Sequence, residues 1–318
     1  MEVIRQAPKV LTNSKIARIL GPFWLTIVFM GTTLIALTLS RIGLVSWKNE
    51  RLLSLHDLLA VLVGGLRIDI SSVSYIVAIP VLLTIITLAT PRLLLIVKWV
   101  SIFWYSAFLC LVVYLEVITP TFINEYDLRP NRLLIEYLIY PKEVMAMLFS
   151  GYKLEIFVAT ITLLLTSYLG FNWLSSQWIE QTNTKMPQRI LLCIAVLLIV
   201  LLGARSSIGH RPLNPAMVSF STDHLLNALA LNSTYSVVFA MKQMTLENSA
   251  SDYYGSMSQK DIYHNVRQQS IYPSQHFNEH SLPTASFKQA SFQGKPKNLV
   301  ILLQESLGAR FVGGLGGL

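Results

Sequence analysis

Glu305 stands at the end of a continuous apolar run, residues 298–303, bounded by Pro296 before it and a polar turn after it. A run of that length and character fits the central strand of an α/β sheet, buried on both faces. Ligands of such sheets sit at the carboxyl ends of the strands, so a carboxylate there suits a hard-metal ligand or a catalytic base. One carboxylate does not hold a Mg²⁺ or Mn²⁺ that expects about six ligands, so any metal site here is incomplete. Ser306 follows directly, but it lies in no G-x-S-x-G turn and has no paired base.

Other candidates are weaker. His276-Phe-Asn-Glu-His280 matches H-x-x-E-H, a zinc pattern that needs both histidines on one face of a stable helix. Pro273 and Pro283 confine any such helix to a few turns in linker-like surroundings, which favours the bland reading. Gly313-Gly-Leu-Gly-Gly317 does not follow the strand directly and reads as a turn rather than a phosphate cradle. Arg67 and Asp69 lie within an apolar stretch, where charges are functional by default. They are two apart and do not share a helix face. Arg67, Arg205 and Arg211 are candidate phosphate contacts for a lipid headgroup, through charge-assisted hydrogen bonds. His210 reads as an interfacial structural residue, Asn232-Ser-Thr234 as a chance sequon, and Cys110 and Cys193 as small apolar residues within spans.

The elements that must position these residues are membrane helices. Of 318 residues, 53% are hydrophobic and 13% charged, half the charge of a typical soluble domain at about 25%. That much apolar surface must face lipid. The net charge of +8 then reflects basic residues flanking spans and facing headgroups, so no nucleic-acid partner is expected. Charge-free windows run from Arg18 to Arg41, Asp69 to Arg92, Lys98 to Glu116, Glu155 to Glu180 and Arg189 to Arg205. A crossing takes roughly 17–25 residues, and snorkelling arginines extend the last, short window. Five transmembrane helices are expected, at about 19–40, 66–90, 97–117, 156–178 and 188–206. Pro80 should kink the second. The basic residues of the loops divide almost evenly, but Arg5, Lys9, Lys15 and Arg18 precede the first span. The expectation is an inner (plasma) membrane protein with a cytoplasmic N-terminus and everything after residue 205 outside.

The loop 119–154 suggests interfacial helices broken at Pro141. A five-helix domain, 1–209, is followed by an extracytoplasmic linker, 210–297, with an amphipathic helix over about 222–245 capped by Ser221 or Thr222. Leu225, Leu226, Leu229, Val237, Phe239 and Met241 are too many apolar residues for an exposed linker and call for burial at the bilayer interface or the outer ends of the spans. Asn227, Asn232 and Lys242 are expected to reach water or headgroups. Residues 298–318 then begin an α/β domain whose single strand needs neighbours, so the chain is expected to be the N-terminal piece of a longer protein.

Three segments carry a resemblance. Arg205-Ser-Ser-Ile-Gly-His-Arg-Pro-Leu-Asn-Pro215, Phe122-Ile-Asn-Glu-Tyr-Asp-Leu-Arg-Pro-Asn-Arg132 and Lys297-Asn-Leu-Val-Ile-Leu-Leu-Gln-Glu-Ser306 together resemble the lipoteichoic-acid-synthase-like phosphoglycerol transferases. These are five-span proteins with an outward catalytic domain of the alkaline phosphatase/sulfatase superfamily. The resemblance implies that Glu305 is a ligand of manganese or magnesium, and that the nucleophilic threonine and remaining ligands lie in a missing C-terminal catalytic domain. It implies transfer of glycerol phosphate from phosphatidylglycerol to an extracytoplasmic acceptor, with this chain inactive alone. The alternatives are a phosphoethanolamine transferase fragment, whose Gly-Glu-Thr-like setting fits Gln304-Glu305-Ser306 less well, and a non-catalytic membrane scaffold.

Overall fold

The computed structural model of the chain describes residues 15–52, 54–179, 186–207, 209–210, 212–246 and 254–270, with scattered positions beyond. Five helices are long and apolar enough to cross a membrane: α2 (Phe23–Trp47), α3 (Leu55–Thr87), α4 (Pro91–Tyr126), α7 (Lys153–Ser175) and α8 (Met186–Arg205). The chain is a multi-pass membrane protein. A short α1 (Lys15–Leu20) precedes them. In the loop after α4, α5 (Arg132–Tyr137) and α6 (Pro141–Gly151) are separated just before Pro141, which has no N–H to continue a helix and sits at the start of the next.

α3 and α4 are longer than their charge-free windows. At 33 and 36 residues they span roughly 50 and 54 Å, against about 30 Å of hydrocarbon. Ser54 starts α3 with a capping box, its Oγ accepting from Asp57 N while Asp57 accepts from Ser54 N. α3 runs on through Pro80, and α4 through Pro120. α3 is central, packing against α2, α4 and α8. The span interior is held by Phe29 stacked on Tyr105 at 4.5 Å, with Thr26 bonded to the Tyr105 hydroxyl at 2.9 Å. Gly203 brings α8 against α3 so closely that a Cβ there would sit 2.2 Å from Ser74 Oγ. Most of α7 and α8 is exposed apolar surface suited to lipid.

The chain divides into two units, 1–247 and 248–318. The first unit therefore continues well past residue 209. Residues 212–246, which include α9 (His224–Leu229), pack on the end of the bundle where α2 and α4 finish and α3 starts, the α9 end. The expected helix over 222–245 is two helices, α9 (His224–Leu229) and α10 (Ser233–Leu246). Asp223, not Ser221 or Thr222, caps α9, its Oδ1 accepting from Leu225 N at 2.8 Å. Leu225, Leu226 and Leu229 are 2% exposed or less, packed with Leu44, Val45, Val61 and Ile123. Of the two places open to them, the three leucines take the ends of the helices rather than the lipid interface, whereas Val237 and Phe239 are half-buried and Met241 is exposed. Each leucine contributes roughly 1.5–3 kcal/mol by leaving water.

In the second unit, α11 (Gln259–Gln269) is capped by Ser258 Oγ on Asp261 N. There is no strand among the described residues. Of the expected strand, Asn298, Val300 and Ile301 are described, and Val300 and Ile301 are exposed.

Candidate functional site

The charge-free windows end, on the α9 side, at Arg41, Asp69, Glu116, Glu155 and Arg205. These positions form a polar layer, and its inward-facing members are buried ion pairs. Arg41 Nη1 and Nη2 donate to Asp69 Oδ2 and Oδ1 at 2.6 and 2.8 Å, a two-pronged fit of guanidinium to carboxylate. Arg129 Nη1 donates to both Glu116 oxygens at 2.9 Å. Two cations and two anions leave the inward members neutral, and all four side chains are at most 8% exposed. Such charges are tolerated out of water only when paired and hydrogen-bonded.

Local geometry makes room for them. Gly65 lies under the Arg41 side chain, where a Cβ would fall 2.2 Å from Nε. That absence of a side chain lets the guanidinium lie across α3 to reach Asp69. Arg41 Nε also donates to the carbonyl of Leu229 at 3.3 Å, tying the pair to the end of α9.

The start of α10 joins the two pairs. Asn232 Nδ2 donates to Asp69 Oδ1 at 2.9 Å and to Ser72 Oγ at 3.1 Å, while its Oδ1 caps α10 by accepting from Tyr235 N at 2.7 Å. The next residue serves the other pair: Ser233 N donates to Glu116 Oε1 at 2.9 Å, and Ser233 Oγ accepts from Arg129 Nη1 at 3.1 Å. Thr119 commits its hydroxyl proton to Leu115 O, so Ser233 donates to Thr119 Oγ1 at 2.6 Å. Ser40, beside Arg41 on α2, donates to Glu116 Oε2. Glu116 thus sits at a helix N-terminus, where the macrodipole favours an anion.

Asn232 is therefore 1% exposed rather than reaching water, and Asn232 and Ser233 are the joint of the fold. The window ends carried the signal in the sequence, since opposite charges recur at one level of successive spans. What hid the joint is that Asn232 and Ser233 lie over a hundred residues from their partners.

A second contact point lies outside the membrane spans. Arg51 donates to Asp127 at 2.8 and 2.9 Å and to Asp223 at 3.3 and 3.4 Å, linking the α2–α3 turn, the end of α4 and the cap of α9. Burial alone would raise the Asp223 carboxyl, but the Leu225 N–H, the Arg51 guanidinium and the Leu226 N–H outweigh it and hold it below its ordinary value. Farther along, burial pushes the Tyr235 hydroxyl up to about 12, keeping it a donor to Leu213 O at 3.0 Å.

Of the sequence candidates, Arg67 and Arg205 come together on one loop. Arg67 Nη2 donates to Ser206 O at 3.2 Å, and Arg205 Nε donates to Ser207 O at 3.0 Å. Asp69 turns inward while Arg67 stays exposed, as their spacing on the helix requires. Glu305, Ser306, Arg211, His276 and His280 lie outside the described residues. Gly313–Leu315 form a single turn. Among the described residues no group of His, Cys, Asp or Glu could hold a metal.

The buried layer is built to hold position. Asp69 accepts three hydrogen bonds and Glu116 four, from guanidinium, amide and hydroxyl donors. No family model matches the chain, and no solved structure matches it significantly.

Proposed function

We propose that the chain is the membrane-anchoring portion of a phosphoglycerol transferase, one that moves glycerol phosphate from phosphatidylglycerol to an acceptor outside the inner membrane. In this reading the N-terminus is cytoplasmic, the α9 end faces outward, and Glu305 supplies one ligand to a Mn²⁺ or Mg²⁺. The metal would neutralise charge on the phosphoryl oxygens in a catalytic domain that follows.

One observation supports the reading more than any other. α10 binds both membrane segments that carry the resemblance, through Arg129 on Ser233 and through the Leu213 carbonyl on the Tyr235 hydroxyl. The bundle thereby fixes α10, and in this reading a catalytic domain beyond it would work close to its lipid substrate, which would lower the entropic cost of reaction.

The test is metal-dependent release of diacylglycerol from phosphatidylglycerol by the chain extended through its downstream reading frame. Release that is lost on Glu305→Ala supports the reading. Release from phosphatidylethanolamine instead assigns the other transferase, and a stop codon directly after Leu318 assigns the scaffold.

A further inference from the structure

The polar layer has outward-facing members as well as inward ones. Arg67 lies on α3 two residues from the buried Asp69, and Arg205 ends α8, so both stand at the level where the charge-free windows stop. Roughly 17–25 residues of helix separate one headgroup region from the other, so this level is that of lipid phosphates. The inward charges of the layer are matched one to one by carboxylates. The outward ones are not: no described carboxylate pairs with Arg67 or Arg205.

Their remaining contacts hold the two guanidiniums at a single loop. Arg205 donates to the carbonyls of Ser207, Gly209 and His210. Arg67 donates to Ser206 O, and Ser206 Oγ returns a bond of 3.3 Å to Arg67 O. Ser206 has a positive φ of 43°, which turns the chain sharply off α8 and folds the loop back over Arg67. A guanidinium has five N–H donors, and among the described residues Arg67 gives one of them to Ser206 O. The Arg67 side chain is otherwise exposed.

We propose that Arg67 and Arg205 form a binding site for the phosphate of an anionic phospholipid in the leaflet on the α9 side. The shared chemistry is a phosphodiester anion gripped by a guanidinium fork, and the lipid is its source because the site lies at the hydrocarbon boundary. Zwitterionic lipid presents the same phosphate with a compensating cation, so selectivity for net negative charge is the expected signature. The proposal concerns binding and stands whether or not the chain serves a transferase.

The experiment is native mass spectrometry of the purified chain after reconstitution in mixed phosphatidylcholine and phosphatidylglycerol vesicles. Phosphatidylglycerol should be retained about tenfold over phosphatidylcholine, which is ~1.4 kcal/mol. Arg67→Gln should remove most of that preference and Arg67→Lys only part of it, with the thermal midpoint unchanged. Arg92→Gln, an exposed arginine at the other end of the bundle, should leave it intact. Equal retention of the two lipids, or a preference indifferent to Arg67→Gln, overturns the site. Protection of Arg67 from arginine-specific modification by inorganic phosphate, as complete as that by phosphatidylglycerol, overturns the lipid as its ligand.

Discussion

Arg41 crosses α3 directly above Gly65 to reach Asp69, and a Cβ at position 65 would lie 2.2 Å from its Nε and 2.3 Å from its Cζ. The pair and the glycine are one device. Gly65→Ala should push the guanidinium off the carboxylate and destabilise the helical unit by about 3–5 kcal/mol, the range for breaking a buried pair. Its neighbour is the control. A Cβ at Gly64 meets Val218 at an ordinary 3.4 Å, so Gly64→Ala should be neutral or stabilising by up to ~1 kcal/mol through helix propensity. Thermal midpoints in detergent, followed by tryptophan fluorescence, check both.

Asn232 separates capping from charge. Asn232→Ala removes a cap worth about 1 kcal/mol and a bond to a carboxylate worth roughly 1.5–3 kcal/mol. Aspartate caps a helix as well as asparagine does, yet it would set a second carboxylate against Asp69. Asn232→Asp should therefore be more destabilising than Asn232→Ala. The reverse order in denaturation would mean that capping, not the tie to Asp69, is what Asn232 supplies.

Arg129 and Glu116 should show the asymmetry of buried pairs. Arg129→Met alone leaves a buried carboxylate and should cost ~3–5 kcal/mol. Adding Glu116→Gln removes the orphaned charge while keeping a side chain that can bond Ser40 and Ser233 N. The double variant should recover at least half of the loss, measured as a double-mutant cycle.

Asp223 makes the attachment of α9 acid-sensitive. Its carboxyl is held below the ordinary value of 3.8, so its contribution is fully present above that value and is lost as pH falls through the lower, folded one. Spin labels at His56 and His224, in a chain with Cys110 and Cys193 replaced by serine, report the separation of the α3 start from α9. The distance should be constant from pH 8 to about 5 and broaden only below about 4. Asp223→Asn should abolish the acid transition. Broadening already at pH 6 would assign the transition to another group.

Five spans, the break before Pro141 and the apolar demand of Leu225, Leu226 and Leu229 were legible in the sequence. Each follows from a local property: a charge-free window of bilayer length, a missing N–H, a cluster too apolar for water. Arg67 and Arg205 were also legible as candidates, because a charge beside a span is conspicuous wherever it points.

The sequence by itself determined that charges of both signs would stand at one level of the spans, at Arg41, Asp69, Glu116, Glu155 and Arg205. Only the tertiary structure decided which of them turn inward, and that Asn232 and Ser233 would close the layer. The physical reason is that a buried charge is stable only beside a partner, and the partner is chosen by packing. Gly65 clears a path for Arg41, and α9 seats three leucines between the helix ends. With α9 in that place, the first turn of α10 meets Asp69 and Glu116 at once, over distances in sequence that no local pattern records.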